Sequence, residues 1–274
     1  MRKKICFFSG DITRSGGTER VAIQLANALR KDHTYEICFL SLTEQRKTPF
    51  YPLHPEISRE HLGERWIKPG PGYLPLVGKL RKFLKEQQID VIIDIDIVLD
   101  ALAIPATRGT RTKVVSWEHF TVDFELSSWY RRMILGYSVK RSDYVVVLTN
   151  GDFEAYRNRL GRKNAISRIY NPVAYRFDKE PVCEKKNIIL TVGRLVPEKG
   201  TEYIKKVSLQ ILERYPGWQW ILLGDGTERK TLEQFIIDHH LQNRLILNIS
   251  FENQAVLQVM VDDELLESLS FRPI

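Results

Sequence analysis

The chain is poor in sulfur. Its 274 residues include only three cysteines and three methionines. Cys6, Cys38 and Cys183 stand far apart, with neither metal-ligand nor disulfide spacing. That excludes a disulfide scaffold and a cysteine-based zinc site, and it predicts buried thiols in a reducing compartment. Long hydrophobic runs are missing too. Stretches such as Tyr144-Val-Val-Val-Leu148 fall far below the roughly 20 apolar residues of a membrane-spanning helix. The opening Met1-Arg-Lys-Lys leads straight into Ile5-Cys-Phe-Phe8, with no signal-peptide hydrophobic region, so a cytoplasmic location is expected. No Gly-Lys-Ser/Thr completes a Walker loop, and the dinucleotide fingerprint is absent. Internal repeats and low-complexity tracts are lacking as well.

What remains is ordinary in bulk and uneven in detail. An apolar share of 43% and a charged share of 27% suit a soluble globular protein of one large domain or two ordinary ones. The net charge is +7, but residues 1–180 carry 30 Lys+Arg against 21 Asp+Glu, while 181–274 carry 11 against 13. A basic first part predicts an anionic substrate or surface. Nucleic acid rests on charge alone and matches no recognised motif, so it is not expected as a partner.

Short apolar runs alternate with amphipathic stretches, the pattern of a parallel sheet covered by helices. Strands are expected near 4–9, 35–41, 91–95, 113–117 and 144–148. A helix near 18–30 places Val21, Leu25, Ala28 and Leu29 on one face. Residues 43–73, rich in Pro, Gly and charge, read as a long excursion. The pattern pauses at Asn171-Pro172, and the polar stretch 176–186 is the expected linker. The alternation then restarts, with strands at 187–192, 218–223 and 244–249 and helices at 200–214 and 228–239. Two domains are thus predicted, 1–175 and 185–274, each an α/β doubly wound unit.

The most informative segment is Thr191-Val-Gly-Arg-Leu-Val-Pro-Glu-Lys-Gly200, behind the apolar run Ile188-Ile-Leu. A buried strand is expected to end there in a glycine turn, with two cations just before a helix start. Gly193 lets backbone approach a ligand, helix amides point at an anion, and Arg194 and Lys199 neutralise it, so a diphosphate fits. The plain alternative is a strand–loop–helix connection with two solvated cations. After the first strand, Ser15-Gly-Gly-Thr18 is a turn that admits close backbone approach, with Thr18 as the expected N-cap. By itself a Gly-Gly turn is usually only a turn.

Taken together, Ser-Gly-Gly-Thr-Glu-Arg at 15–20, Gly-Arg-Leu-Val-Pro-Glu-Lys-Gly at 193–200 and Leu-Leu-Gly-Asp-Gly-Thr-Glu-Arg at 222–229 occur in the order of one family. The chain resembles, over about residues 4–247, the group-one (family four) retaining glycosyltransferases of the GT-B fold. The resemblance implies two Rossmann-like domains, a nucleotide-sugar donor held mainly by the second and a glycan or lipid-linked acceptor by the first. It implies that Arg194 and Lys199 bind the donor diphosphate and that Gly16 and Gly17 face the donor phosphates from the first domain. Gly193, Gly224 and Gly226 would lie beside the nucleotide. Transfer of a hexose in polysaccharide or glycolipid synthesis would follow, with no metal or other cofactor, because fixed cations and amide dipoles take the leaving charge.

His119, in Ser116-Trp-Glu-His-Phe120, is the candidate to orient or polarise a sugar hydroxyl near the transferred sugar, against the plain reading of a loop histidine. Glu118 is expected to be a salt-bridge partner, and Asp94, Asp96 and Asp100 strand-end and capping acids, with no metal site. The basic stretches 76–85 and 129–141 suit either an anionic bilayer, giving a peripheral position at the inner membrane face, or an ordinary sheet-covering helix with a solvated face.

The resemblance fails near the end. No two glutamates after Gly224 stand eight apart, where the family has a Glu-x7-Glu segment near the donor sugar. Residues from about 248 onward do not match, although Val256, Leu257, Met260, Val261 and Leu265 fit an amphipathic helix. The second domain is therefore expected to be incomplete. The alternative function is a catalytically impaired remnant that binds nucleotide or an anionic surface without transfer.

Overall fold

The protein's structure is a computed structural model that describes residues 2–63, 72–172 and 186–248. Cys183, most of the expected linker and the expected C-terminal helix lie outside the described residues. The chain divides into two compact units, residues 1–175 and 176–274.

Unit 1 is built on seven parallel strands: β1 (Lys3–Ser9), β2 (Tyr35–Ser41), β3 (Ser58–His61), β4 (Val91–Ile95), β5 (Lys113–Trp117), β6 (Tyr144–Val147) and β7 (Ile166–Arg168). Their order is β3-β2-β1-β4-β5-β6-β7, so the winding reverses between β1 and β4. Ligands bind in the crevice outside the strands' carboxyl ends at such a reversal. Among the described residues six helices accompany the sheet: α1 (Gly17–Leu29), α2 (Tyr73–Glu86), α3 (Asp100–Thr107), α4 (Val122–Leu126), α5 (Trp129–Arg141) and α6 (Asn150–Asn158).

The central strand shows why this layering forms. Successive side chains of a strand point to opposite faces. Ile5 and Phe7 join Val21, Ala22 and Ala26 of α1, while Cys6 and Phe8 join Leu80 and Leu84 of α2 and Ala103 of α3. A strand covered on both faces reads as an unbroken apolar run, which is what Ile5-Cys-Phe-Phe8 is.

Four local expectations are corrected. Helix α1 begins one residue early with Gly16 as its N-cap and no side-chain cap, because the Thr18 hydroxyl donates to Glu19 instead. Its buried face runs through Val21, Ala22, Ile23 and Ala26, with Ala28 exposed. The excursion at 43–73 contains β3, paired with β2 from Cys38↔Ser58 to Ser41↔His61. The short strand β7 adds a further edge beyond β6.

Among its described residues unit 2 has three parallel strands in the order β10-β9-β8: β8 (Ile188–Val192), β9 (Gln219–Leu223) and β10 (Leu245–Asn248). The helices α7 (Thr201–Arg214) and α8 (Arg229–Asp238) connect them. Leu195, Ile204, Leu212, Trp220, Leu222, Leu232 and Leu245 share its core. The expected burial of β8 is corrected, since Leu190 is 44% and Val192 59% exposed. Among the described residues β8 is an outer strand with a neighbour on one side only.

Candidate functional site

In unit 2 two loops are laced backbone to backbone at the carboxyl ends of β8 and β9. Gly193 N–H donates to the Leu223 carbonyl at 3.0 Å, Leu195 N–H to Asp225 at 2.9 Å, and Glu228 N–H back to Leu195 at 2.9 Å. Gly224 holds φ 146°, a region open to glycine. A Cβ on Gly224 would collide with the Gly193 carbonyl, and one on Gly226 with the Leu195 carbonyl. Both glycines therefore serve loop-on-loop packing in this structure. A Cβ on Gly193, by contrast, would meet open space.

This lacing presents the two cations. Arg194 and Lys199 are exposed, and neither has an ion pair or side-chain hydrogen bond among the described residues. Lys199 ends a 3-10 turn, Pro197–Lys199, and Gly200 at φ 77° turns the chain into α7 with no side chain capping its amides. The first amides of α7 and two unpaired cations thus share one short segment, which can receive a multiply charged anion.

In unit 1 the turn after β1 is organised by carboxylates. Buried Asp11 accepts from Thr13 N–H at 2.9 Å and Gln45 N–H at 3.2 Å. Glu19, only 2% exposed, accepts from Arg14 Nε at 2.9 Å and from the Thr18 hydroxyl at 2.8 Å. Its Oε2 occupies the space a Gly16 Cβ would need, whereas a Gly17 Cβ would meet nothing within 4 Å. Gly16 is thus fixed by the Glu19 carboxylate, and Gly17 leaves its side of the turn open.

His119 follows β5, its ring 4.5 Å from that of Trp117. Burial lowers its pKa from 6.5 to about 4, with the Glu19 charge pulling the other way. The imidazole is therefore neutral near pH 7. Its Nε2 has no partner among the described residues. Gly16, Gly17 and His119 belong to one unit, and the other brings Gly193, Arg194, Lys199, Gly224 and Gly226 onto its two laced loops.

Sequence reasoning missed the carboxylate network around these groups. Asp96, a non-glycine residue at φ 112°, caps the turn Ile97–Leu99 by accepting from Val98 N–H at 3.1 Å, as expected of a capping acid. It also pairs with Arg131 at 3.0 Å, and Arg131 pairs with buried Glu125 at 2.7 Å. Asp94 stands at the end of β4 as expected, though fully buried, whereas Asp100 is corrected: it opens α3 fully buried and caps nothing there. Asp100 accepts from Ser116 at 2.6 Å and from Ser138. Burial, then the Asp100 charge and a hydrogen bond shared with Asp100, pushes the Asp94 pKa well up. Glu118 is corrected too. It makes no salt bridge among the described residues, accepts from Phe120 N–H at 3.0 Å, and burial raises its pKa well above the ordinary glutamate value. Local patterns do not signal the Glu19–Arg14, Glu125–Arg131, Asp96–Arg131 and Asp100–serine contacts, whose partners lie 5 to 38 residues apart.

Two parallel α/β units, each with glycine turns beyond the carboxyl ends of its strands, define the class of proteins built from paired Rossmann-like domains. The model of Glycosyltransferase Family 4 matches residues 15–176, and that of Glycosyl transferases group 1 matches residues 175–260. The chain belongs to this family of glycosyltransferases. It is 31% identical over 232 residues to an uncharacterized glycosyltransferase of Haemophilus influenzae, covering 84% of this chain and 64% of that protein. A Campylobacter jejuni relative, named as a GalNAc-α-(1->4)-GalNAc-α-(1->3)-diNAcBac-PP-undecaprenol α-1,4-N-acetyl-D-galactosaminyltransferase, is 27% identical with the same two coverages. The chain thus spans about two thirds of the length of these relatives. Among solved structures, the apo lipopolysaccharide outer core galactosyltransferase WaaB superposes with a TM-score of 0.66 at 22% identity, over 93% of this chain and 70% of that one. Anabaena HepE in complex with UDP and glucose gives 0.68 at 20%, over 94% and 72%. These structures share the GT-B fold.

Proposed function

We propose that this chain binds a nucleotide-sugar donor and serves hexose transfer, with retention, to a glycan or lipid-linked acceptor in polysaccharide or glycolipid synthesis. The observation that carries the reading is the pair of unpaired, exposed cations on the β8–α7 segment, Arg194 and Lys199. A diphosphate bound there gains two charge-assisted contacts and the first amides of α7, and the same groups stabilise it as it leaves. The donor's metal-independent departure is part of the proposal. Gly193 is the point of closest backbone approach. Gly224 and Gly226 hold that loop in place, which refines their assignment to the nucleotide side.

His119 is the proposed catalytic residue of unit 1. A neutral imidazole whose Nε2 has no partner among the described residues suits hydrogen bonding to a sugar hydroxyl. The Gly16–Gly17 turn, open at Gly17, faces the donor phosphates in this reading. HepE is described with UDP, which makes UDP the first probe to try. Each charge-assisted contact contributes about 1.5–3 kcal/mol, so Arg194→Ala should weaken UDP binding roughly ten- to a hundredfold in calorimetry. Unchanged affinity in a folded variant would end the reading.

A further inference from the structure

We infer that Arg131, on α5, is a positioning residue for His119: it clamps both ends of the short segment that carries the imidazole. The inference rests on the reading of His119 as the residue that meets the sugar. That side chain leaves β5 with little to orient it. Its ring lies against Trp117, and no hydrogen bond holds Nε2 among the described residues. The direction of the imidazole therefore depends on how firmly the backbone from Trp117 to Phe120 is held.

The near end of that segment is tied to the neighbouring strands. The Trp117 carbonyl accepts from Asp96 N–H at 3.4 Å, and Glu118 N–H donates to the Val146 carbonyl at 2.8 Å. The far end lies beyond the strand. There Phe120 N–H turns back to the Glu118 carboxylate, and the Phe120 ring rests on the Arg131 guanidinium, whose central carbon is 5.2 Å from the ring centre. The Phe124 ring centre lies 5.0 Å from the same carbon, and the two rings stack at 4.9 Å.

Arg131 is itself anchored. It donates to Glu125 of α4 through Nε at 2.9 Å and Nη2 at 2.7 Å, and Nη2 also donates to Asp96 at 3.0 Å. Asp96 is the residue whose N–H holds Trp117. A closed ring of contacts thus runs from Trp117 through Asp96, Arg131 and Phe120 back to His119. Among side chains a guanidinium alone completes it, since its edge offers a fork of N–H donors to two carboxylates while its flat face stays open to the rings. The Glu125 side chain is fully buried, which shields this ion pair from the screening that weakens surface pairs. A plainer role, joining α4 to α5, would need Glu125 alone and leaves the contacts with Asp96 and Phe120 unused.

The test follows His119 itself. In NMR of the full chain, the imidazole signal lost in His119→Gln should titrate at about 4. Three variants loosen the clamp. Arg131→Lys keeps the charge and loses the fork, Arg131→Met with Glu125→Gln removes both charges, and Phe120→Leu keeps the ion pairs. In each, the midpoint should move up toward the ordinary 6.5 as the ring gains access to water. Arg159→Gln, which frees the exposed Asp123, should leave the midpoint where it is. Amide protection of β4 and β6 reports that unit 1 is folded, and where an Arg131 variant fails that check Phe120→Leu decides. With UDP-glucose as the donor probe, kcat for UDP release should fall about ten- to a hundredfold in the Arg131 variants, with KM changed less than about twofold. A midpoint that stays at about 4 in the folded variants, or that moves as far in Arg159→Gln, would overturn the inference, as would an intact chain that titrates at 6.5. Normal turnover in His119→Gln would instead end the catalytic reading of His119, and the titration would still decide the positioning.

Discussion

The chain has two glycine-bearing turns that lead from a strand into a helix, and they treat their cations in opposite ways. After β1, Arg14 is held by Glu19, which also fills the space beside Gly16. After β8, Arg194 and Lys199 have no partner among the described residues. The first turn is internally neutralised. The second leaves its cations without a partner among the described residues. Similar local sequence can thus hold its cation inside the fold or leave it outside, and a carboxylate nearby decides which.

The largest effect should come from breaking the scaffold of the second turn. Gly224→Ala places a Cβ against the Gly193 carbonyl at a φ that non-glycine residues rarely adopt. It should destabilise unit 2 by about 3 kcal/mol, from strain and overpacking together. Amide exchange should speed up through residues 188–248 and stay unchanged in β1 and β4. Gly17→Ala, which meets open space, should cost under about 1 kcal/mol by chemical denaturation.

Next in size is the pH response of the first turn's surroundings. The folded-state pKa of His119, about 4, lies below its ordinary 6.5. Its contribution is therefore complete above about pH 6.5 and is lost as pH falls through 4, about 3 kcal/mol in all. Asp94 has the opposite sign. With its pKa raised well above 3.8, its contribution is present at low pH and is lost as pH rises. His119→Gln should flatten the acid side of the stability profile, and Asp94→Asn should remove the loss on the alkaline side. Urea midpoints measured across the pH range would decide both. In transfer assays His119→Gln should lower kcat about a hundredfold, the scale of one lost transition-state hydrogen bond.

The smallest expected effect sharpens the comparison most. Arg14→Gln should change UDP affinity less than about threefold, because that guanidinium is already committed to Glu19 and its loss exchanges one hydrogen-bonded partner for another. A fall as large as that of Arg194→Ala would mean that the ligand displaces Glu19 and draws on both turns, and the contrast would then fail.

Much of the frame was legible from residue order. Strands covered on both faces, such as Ile5-Cys-Phe-Phe8, announce themselves as apolar runs, and the restart at Ile188 gave unit 2 strand by strand. The strand β3, Ser-Arg-Glu-His, was invisible because an exposed edge strand buries almost nothing and exists through its hydrogen bonds to β2. The burial expected for β8 failed for a related reason: an apolar run predicts a strand, while its neighbours determine how much of it is covered.

The sequence by itself determined the parallel α/β pattern, the family motifs and the position of two cations between a strand and a helix. These depend on neighbours in the chain, on side-chain periodicity and on where glycine permits a turn. Only the tertiary structure decided which charges stay free. Glu19 reaching Arg14 beside Gly16, Glu125 and Asp96 enclosing Arg131, and burial pushing the Asp94 pKa up are products of tertiary packing. Coulomb interactions and desolvation act through space, so the spacing of residues along the chain does not encode them.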